Sequence, residues 1–227
     1  EYKYPRKKAR VIVGKSTGIK TTDPVPGDYA NGYIGQTVTL SAIPETGYRF
    51  KNWTSLLKEN YGTVFSTTAG FNYTLTYNDS TAIQHQYGNG TSTMWGAYMQ
   101  ANAEPITYNI KYNYNGGIKG VFAPSSAKYN EDVKISNPTK KNYIFAGWTI
   151  TGYDPNTSGH SAVAWTGETG ASFKNLASTE GKTVTFTATW VQKNVHLVTI
   201  SGRGIKLSKP LSYDGHVGET KRITAEL

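Results

Sequence analysis

Two copies of one aromatic cluster are the residues of this chain whose types and spacing could bind a ligand. Tyr, Phe and Trp follow one another as Tyr-x-Phe-x-x-Trp, first in residues 47–53 and again in residues 142–148. Aromatic faces of this kind can stack on sugar rings. They can also fill a core, where each ring buries about 150–250 Å². Because the spacing is identical in both copies, the pattern favours a core cluster repeated in each folding unit.

Four aromatic residues outside these clusters are better candidates for binding a ligand. They are Tyr87, Trp95, Tyr153 and Trp165, and they lie in stretches that the two copies do not share. Loops held on a rigid scaffold often carry binding residues. A carbohydrate or a protein is the ligand that we expect there, and ordinary loop packing is the alternative.

The residue types predict no catalytic, cofactor or metal site. The chain has no cysteine, which excludes disulfides, thiolate metal sites and cysteine nucleophiles. Its four histidines have no His, Asp or Glu neighbour at metal-ligand spacing. Nucleophile elbows, phosphate-binding loops and calcium loops are absent, and the scattered carboxylates nominate no glycosidase pair. We therefore expect a protein that is not an enzyme.

The formal net charge of +9 is concentrated near the start of the chain. The basic residues there are Lys3, Arg6, Lys7, Lys8 and Arg10. Such a run can bind an anionic polymer, although a solvated tail is the simpler interpretation. No stripe of arginines interleaved with aromatics is present, so we expect no nucleic acid partner. No apolar run approaches the roughly 20 residues of a membrane span.

Most of the chain alternates apolar and polar residues with the period of a β-strand. In residues 183–190, for example, Val, Phe, Ala and Trp alternate with threonine. This pattern predicts a mainly β fold of antiparallel strands with one solvated face. Helix signals are few and are confined to residues 55–60 and 176–180.

The repeated patterns divide the chain into successive modules. We predict a basic tail or linker at 1–9, a first module at 10–105, a second at 106–192 and a partial third at 193–227. The third repeats the pattern of residues 35–42 at residues 218–225. It is either incomplete or an edge piece that packs on the second module.

The second module resembles the internalin-type B-repeats, also called Listeria–Bacteroides repeats, of bacterial surface proteins. The resemblance rests on the order and spacing of residues 108–117, 137–148 and 185–190. The first module is similar to more divergent surface repeats, from which it departs by an insertion at about residues 56–94. The resemblance implies tandem β-grasp-like modules, similar to ubiquitin-like or mucin-binding folds. It also implies export, display at the cell surface or in the cell wall, and no catalytic residues or cofactors.

The function implied by this resemblance is that of a spacer or adhesion module, which contacts a host-cell protein, a glycan or a wall ligand. Two alternatives stay open. One is a carbohydrate-binding module that uses the loop aromatics. The other is electrostatic docking of residues 3–10 on an anionic wall polymer. An amide cross-link between a lysine and an asparagine is also open, because a chain without cysteine has no disulfide to stabilise it.

Overall fold

A computed structural model describes residues 7–76, 82–87, 90–154, 163–164, 170–198, 202–207 and 212–226. Within these ranges it describes only the backbone of residues 59, 82–87, 90–95, 163–164, 171 and 206–207. The chain divides into two compact units. Unit 1 holds residues 1–107, 128–130 and 178–181, and unit 2 holds 108–127, 131–177 and 182–227. Strands dominate both units, and the helical structure in the described ranges is a 3₁₀ turn at Lys58–Asn60.

The strands follow one another in three successive groups along the chain. The first group is β1 (Lys8–Lys15), β2 (Ile19–Asp23), β3 (Tyr29–Tyr33), β4 (Thr37–Pro44), β5 (Tyr48–Ser55), β6 (Val64–Ser66), β7 (Phe71–Thr74), β8 (Ala82–Tyr87) and β9 (Gly90–Pro105). The second group is β10 (Thr107–Asn113), β11 (Ser126–Lys128), β12 (Asp132–Ile135), β13 (Tyr143–Thr151), β14 (Val163–Ala164), β15 (Ala171–Lys174) and β16 (Thr183–Gln192). The third group is β17 (Asn194–Val198), β18 (Lys206–Leu207), β19 (Ser212–His216) and β20 (Ala225–Glu226).

The main sheet of unit 1 has the order β3-β1-β9-β5-β6, and β8 also pairs with β9. Its opening strand β1 and its closing strand β9 are parallel neighbours, from Ala9↔Trp95 to Lys15↔Ala101. Strand β5, which carries the first aromatic cluster, pairs with β9 in the antiparallel direction. A parallel pair needs a crossover to bring the chain back, and strands β2 to β8 make up that crossover.

The second group of strands repeats this arrangement, with the sheet order β11-β10-β16-β13-β14. Here β10 and β16 are the parallel opening and closing strands. Strand β13 carries the second aromatic cluster and pairs antiparallel with β16. The closing strand therefore lies between the opening strand and the cluster strand in both sheets.

The cluster strands match in detail, including one irregularity. In β5 the register with the closing strand shifts between Phe50 and Asn52, and in β13 it shifts between Phe145 and Gly147. Phe50 and Phe145 occupy equivalent positions of the two repeats, as do Asn52 and Gly147. After each shift the tryptophan faces an alanine across the ladder, in the pairs Trp53↔Ala101 and Trp148↔Ala188. The bulge therefore sets the register that turns the indole toward the core.

A smaller sheet covers the core in each repeat. In the first repeat it has the order β2-β4-β7, and Leu40 of β4 is fully buried together with Val11 of β1 and Met99 of β9. In the second repeat β12 pairs with β15 in a register that matches that of β4 with β7. Val133 and Ile135 of β12 are buried in the same way. Each repeat thus has two layers of strands around one apolar interior.

The structure corrects three expectations from the sequence. The central strand pairs are parallel rather than antiparallel, because period-two alternation reports which face is buried and not which way a neighbour runs. The segment 56–94 is largely not an insertion, since β6 and β7 match β14 and β15. Only the 3₁₀ turn forms in residues 55–60, and residues 176–180 form bends and a turn instead of a helix.

Strand β1 also begins inside the predicted basic tail. Lys8 and Ala9 belong to the strand, and Ala9 is buried. The other predicted boundaries between modules stay predictions.

Gly96 provides a test of the parallel pairing, because it faces Arg10 in the β1–β9 ladder. A Cβ at Gly96 would lie 1.8 Å from the carbonyl oxygen of Arg10. We expect Gly96→Ala to lower the free energy of unfolding of unit 1 by at least about 2 kcal/mol, because the overlap forces the strands apart. Urea unfolding and hydrogen exchange of the β1 amides measure the loss.

The matched control is Gly70→Ala, since the nearest atom to a Cβ there is the Leu40 oxygen at 3.9 Å. Its expected effect is within about 0.5 kcal/mol. Equal effects of the two substitutions would show that β1 and β9 are not packed as described.

Candidate binding surface

The tryptophans of the two aromatic clusters lie in the core and not on a binding face. The side chains of Trp53 and Trp148 are 0% exposed. The indole N–H of Trp53 donates to the carbonyl oxygen of Ala69 at 3.2 Å, and its ring contacts Phe50 and Phe71. The core interpretation is therefore confirmed for the two tryptophans, whose burial excludes sugar stacking on their indoles. The tyrosine and phenylalanine of each cluster are half-buried.

The aromatic interior of the second repeat extends to one end of its sheet, where Trp190 closes it. The Trp190 ring contacts Phe145 at a centroid distance of 5.5 Å, and its N–H donates to the Tyr114 oxygen at 3.1 Å. The backbone of Gly117 lies directly on this indole, and the Lys140 ammonium is 5.8 Å from its centroid. Trp190 is half-buried beneath these groups, so it does not present an open face.

Burial changes the acidity of the tyrosines that line this interior. The pKa of Tyr112 is raised well above its ordinary value, first by burial and then by the neighbouring Tyr114 and Tyr108. Burial also raises the pKa of Tyr108 and of Tyr114. The Tyr112 hydroxyl donates to the Pro124 oxygen at 3.0 Å. These phenols are structural groups that favour the neutral form.

The four predicted ligand-binding aromatics fall in different places. The backbone of Tyr87 ends β8 and pairs with Gly90, while Trp95 lies within β9 opposite Ala9. Trp165 lies outside the described residues. Tyr153 follows β13 in unit 2 and is half-buried. A role for any of them in ligand binding stays a prediction.

An ion pair fixes the segment that contains Tyr153. The next residue, Asp154, contacts the Lys182 ammonium, and the two side chains are 18% and 33% exposed. The Asp154 N–H donates to the Leu176 oxygen at 2.9 Å. The segment after β13 is thereby tied to the start of β16, so Tyr153 lies on an anchored backbone.

A surface that the sequence reasoning missed lies in the β10–β11 connection, residues 114–125. It displays Ile118, Val121 and Phe122, whose side chains are 72%, 89% and 59% exposed. We call these three residues the apolar loop. Their sequence signal was available: three large apolar side chains occur within five positions of a glycine-rich stretch that has no strand periodicity. Exposed apolar side chains close together in the sequence make this loop a candidate interaction surface.

The backbone of the apolar loop is held in place. Ile118 and Thr139 exchange both backbone hydrogen bonds, at 2.7 and 3.0 Å. The Ser136 N–H donates to the Phe122 oxygen at 2.9 Å, and the Phe122 N–H donates to the Ser136 hydroxyl at 3.2 Å. Gly120 packs so closely on Ser136 that a Cβ would lie 2.6 Å from it. The loop therefore presents its side chains from a defined position.

Of the basic residues at the start of the chain, Arg10 is buried by packing within the fold. The Arg10 side chain is 5% exposed, and its guanidinium carbon lies 4.3 Å from the centroid of the Tyr29 ring. Lys7 and Lys8 are exposed, and Lys3 and Arg6 lie outside the described residues. Docking on an anionic polymer through this segment stays a prediction.

The described ranges hold neither a metal cluster nor a membrane-spanning helix. No three His, Asp or Glu residues there are close enough together to share a metal ion. No helix in the same ranges is long and apolar enough to cross a membrane.

Comparison with known protein families finds a match to part of the chain. Residues 16–86, about a third of the chain, match the model of the divergent InlB B-repeat domain. This confirms the predicted resemblance to an internalin-type B-repeat in the first module, in the divergent form expected there, and the resemblance of the second module stays a prediction. Neither the curated proteins nor the solved structures contain a match to this chain.

The raised pKa values predict how stability responds to alkaline pH. The folded chain favours the neutral form of Tyr112, so the pKa of Tyr112 is higher in the folded than in the unfolded chain. The stability that this difference contributes is complete below the unfolded pKa near 10, and it is lost as the pH rises toward the folded pKa. We expect the free energy of unfolding of unit 2 to fall by up to about 1.4 kcal/mol per pH unit for each such tyrosine. Urea unfolding between pH 9 and 11.5 measures this slope.

Tyr112→Phe should make the decline shallower, because phenylalanine cannot ionise. The control is Tyr61→Phe, since the Tyr61 side chain is 74% exposed. A slope that Tyr112→Phe leaves unchanged would contradict a folded-state effect at Tyr112.

Proposed function

We propose that this chain is a force-resisting repeat segment of a bacterial cell-surface protein, with an extracellular or wall-associated location. The starting point is the divergent InlB B-repeat at residues 16–86, since this family is typical of surface-exposed bacterial proteins. The repetition of the same strand order in the following residues supports an array of similar modules. Each module is β-grasp-like, with its parallel opening and closing strands side by side in a mixed sheet.

The parallel pairing of the opening and closing strands carries the proposal. Force on a surface protein passes along the chain, so it enters the second repeat at the start of β10 and leaves at the end of β16. Because these strands are parallel neighbours, the start of one and the end of the other lie at opposite ends of their ladder. Tension therefore loads the hydrogen bonds from Asn109↔Thr183 to Asn113↔Thr187 together, in shear. The same holds for β1 and β9.

Resistance in shear suits a spacer that holds other parts of a protein away from a cell. When a ladder is unzipped from one end, its hydrogen bonds break one after another. In shear they must break together, so the rupture force is higher. The chain achieves this arrangement without a disulfide, since it has no cysteine.

Pulling the second repeat in two directions tests the mechanical function. The chain has no cysteine, so engineered pairs provide unique handles. The pair Asn109→Cys and Gln192→Cys loads β10 and β16 in shear. The pair Asn109→Cys and Thr183→Cys places the handles on directly opposed residues, so that pulling unzips the same ladder from one end. We expect a rupture force several-fold higher for the first pair in single-molecule force spectroscopy.

The two variants are controls for each other, because both pulling directions break the same ladder of the same module. Thermal unfolding of the two variants should agree within about 1 kcal/mol. Equal rupture forces in the two directions would remove the mechanical argument for a spacer, whatever the module binds.

Adhesion is a second candidate function, and the apolar loop favours it. Ile118, Val121 and Phe122 offer aliphatic and aromatic contact area from a pinned backbone. Such a surface suits a protein ligand, whose own apolar side chains can cover it. It suits a glycan less, because sugar binding relies on polar groups around an aromatic face. The partner that we propose is a protein on a host cell.

Beads coated with the chain should adhere to host cells, and Ile118→Ser/Val121→Ser/Phe122→Ser should reduce adhesion at least tenfold, the equivalent of about 1.4 kcal/mol. Folding should be unaffected, because these side chains are exposed. Ile144→Ser/Val191→Ser is the matched control, since these paired residues are each 55% exposed and lie elsewhere in the second repeat.

Treatment of the cells separates the two ligand classes. Protease treatment should abolish adhesion, and periodate oxidation of glycans should leave it intact. Adhesion that only periodate removes would instead support a carbohydrate-binding module. If wild-type beads adhere no better than albumin-coated beads, adhesion is excluded and the spacer function stands alone.

A further inference from the structure

The main sheet of unit 1 has a second face, opposite to the one that packs on the smaller sheet. Within β9, the odd-numbered residues from Ala97 to Ala101 are buried in the core. The even-numbered residues of this stretch therefore point to the opposite face. Across the ladder to β5, Thr54 lies opposite Gln100 and Asn52 lies opposite Asn102. We call the following five residues of this surface the amide face: Asn52, Thr54, Tyr98, Gln100 and Asn102.

The second repeat carries threonine at the equivalent positions of its closing strand. Counted from the aligned pairs Trp53↔Ala101 and Trp148↔Ala188, the counterparts of Tyr98, Gln100 and Asn102 are Thr185, Thr187 and Thr189. Threonine is an ordinary residue for the solvated face of a strand. The frame of the repeat therefore does not require a tyrosine and two long amides here, and their presence is a property of the first repeat alone.

The polar side chains of the amide face hold one another in place. The Asn102 NH₂ group donates to the Asn52 Oδ1 at 3.1 Å and to the Thr54 hydroxyl oxygen at 2.8 Å. The Asn102 Oδ1 accepts a hydrogen bond from the Gln100 Nε2 at 2.9 Å. All four residues are half-buried. Their side chains are therefore ordered before a ligand arrives, which lowers the entropic cost of binding.

This network leaves a defined set of polar groups without a partner among the described residues. They are the Asn52 NH₂ group and the Thr54 O–H, which can donate, and the Gln100 Oε1, which can accept. The donors and the acceptor stand on adjacent strands, since Thr54 lies directly opposite Gln100. A sugar ring carries neighbouring hydroxyls, each of which both donates and accepts. Donors and an acceptor side by side therefore match the hydroxyls of a sugar.

Tyr98 provides an aromatic surface beside these amides, and its side chain is 37% exposed. Its ring reaches toward Gly14 of β1, where a Cβ would lie 3.8 Å from the ring and 3.5 Å from Leu56. Gly14 faces Gln100 in the ladder, and the equivalent residue of the second repeat is Asn113. Because glycine has no side chain, the ring and the Gln100 amide stay accessible from the β1 side.

The charges at the ends of the amide face are balanced or withdrawn from solvent. Next to the Asn52↔Asn102 pair, the Glu104 carboxylate lies 2.6 Å from the Arg49 guanidinium and 3.6 Å from the Lys51 ammonium. The Arg49 guanidinium also lies 3.8 Å from the Glu180 carboxylate. At the other end, Arg10 is only 5% exposed. The amide face itself has no charged group, so it favours a neutral ligand over an anionic polymer.

We propose that the amide face of unit 1 binds a neutral glycan. One sugar ring stacks on Tyr98, and its hydroxyls or those of the next ring form hydrogen bonds with Asn52, Thr54 and Gln100. A protein partner fits this surface less well, because the centre of a protein interface is rich in large apolar groups, and here one ring stands among amides and hydroxyls. The site is separate from the mechanical function and from the apolar loop.

The probes are neutral oligosaccharides of glucose, galactose, mannose and N-acetylglucosamine, each titrated into the isotope-labelled full chain and followed by NMR. We expect at least one of them to produce saturable shifts of the side-chain NH₂ signals of Asn52 and Gln100 and of the Tyr98 ring. The signals of the apolar loop should not move. If none of the probes shifts these groups at about 10 mM, a concentration that detects even weak binding, the proposal is wrong.

Substitutions to the residues of the second repeat test the site without disturbing the frame. Tyr98→Thr and Gln100→Thr introduce the threonine that the second repeat has at each position, so both variants should fold. Each should weaken binding at least about tenfold, because the stacking surface or the acceptor is lost. Tyr61→Thr is the matched control, since Tyr61 is 74% exposed and lies outside the amide face. It should leave binding unchanged, and an equal loss in this variant would overturn the proposal.

Asn52→Asp isolates a single hydrogen bond to the ligand. Aspartate keeps the oxygen that accepts from Asn102 and removes only the NH₂ group that faces solvent. Binding should fall roughly fivefold, which is the effect of one hydrogen bond, while thermal unfolding stays the same. Unchanged binding in both Asn52→Asp and Gln100→Thr would show that the glycan does not bind at the amide face.

Two further titrations separate this site from the other candidate surfaces. Binding should persist in Ile118→Ser/Val121→Ser/Phe122→Ser, which removes the apolar loop, and its loss there would contradict the proposal. Binding should also persist at about 0.5 M salt, because no charged group takes part. Binding that is confined to sulfated or sialylated glycans and disappears at this salt concentration would overturn the proposal in favour of electrostatic docking.

Discussion

The parallel pairing of the opening strand with the closing strand is the constraint on which the rest of each repeat depends. Parallel neighbours cannot be joined by a tight turn, so the chain must leave the sheet and return. On the way it forms the small second layer, β2-β4-β7 in the first repeat, which covers the apolar face of the main sheet. The cluster strand then pairs with the free side of the closing strand. Core, layers and the direction of loading all follow from this one pairing.

The same frame holds two different interiors. Val11 and Val13 of β1 occupy the positions that Ile110 and Tyr112 occupy in β10. The positions of the cluster tryptophan and the alanine opposite it are unchanged. Interiors are close-packed, so a large indole needs a small residue across the ladder. The constant pair fixes the register of the cluster strand, while the surrounding positions vary in size from one repeat to the next.

Sequence reasoning succeeded where a property depends on neighbours along the chain. Alternation located the strands at Thr37–Pro44 and Thr183–Gln192, and duplication identified the tryptophans as core residues. It failed on strand direction and on residues 56–94, because both depend on which distant strand lies alongside. It also passed over Ile118, Val121 and Phe122, since an apolar residue in a loop reads as buried until the packing shows it exposed. The four aromatics nominated for ligand binding stay predictions.

By itself, the sequence determined the β character of this protein, its division into repeats and the identity of its aromatic core, because these follow from local periodicity and from comparison of the chain with itself. Only the tertiary structure decided which strands lie side by side and which apolar side chains remain outside. The physical reason is that hydrogen bonding between strands and burial are both relations between distant segments.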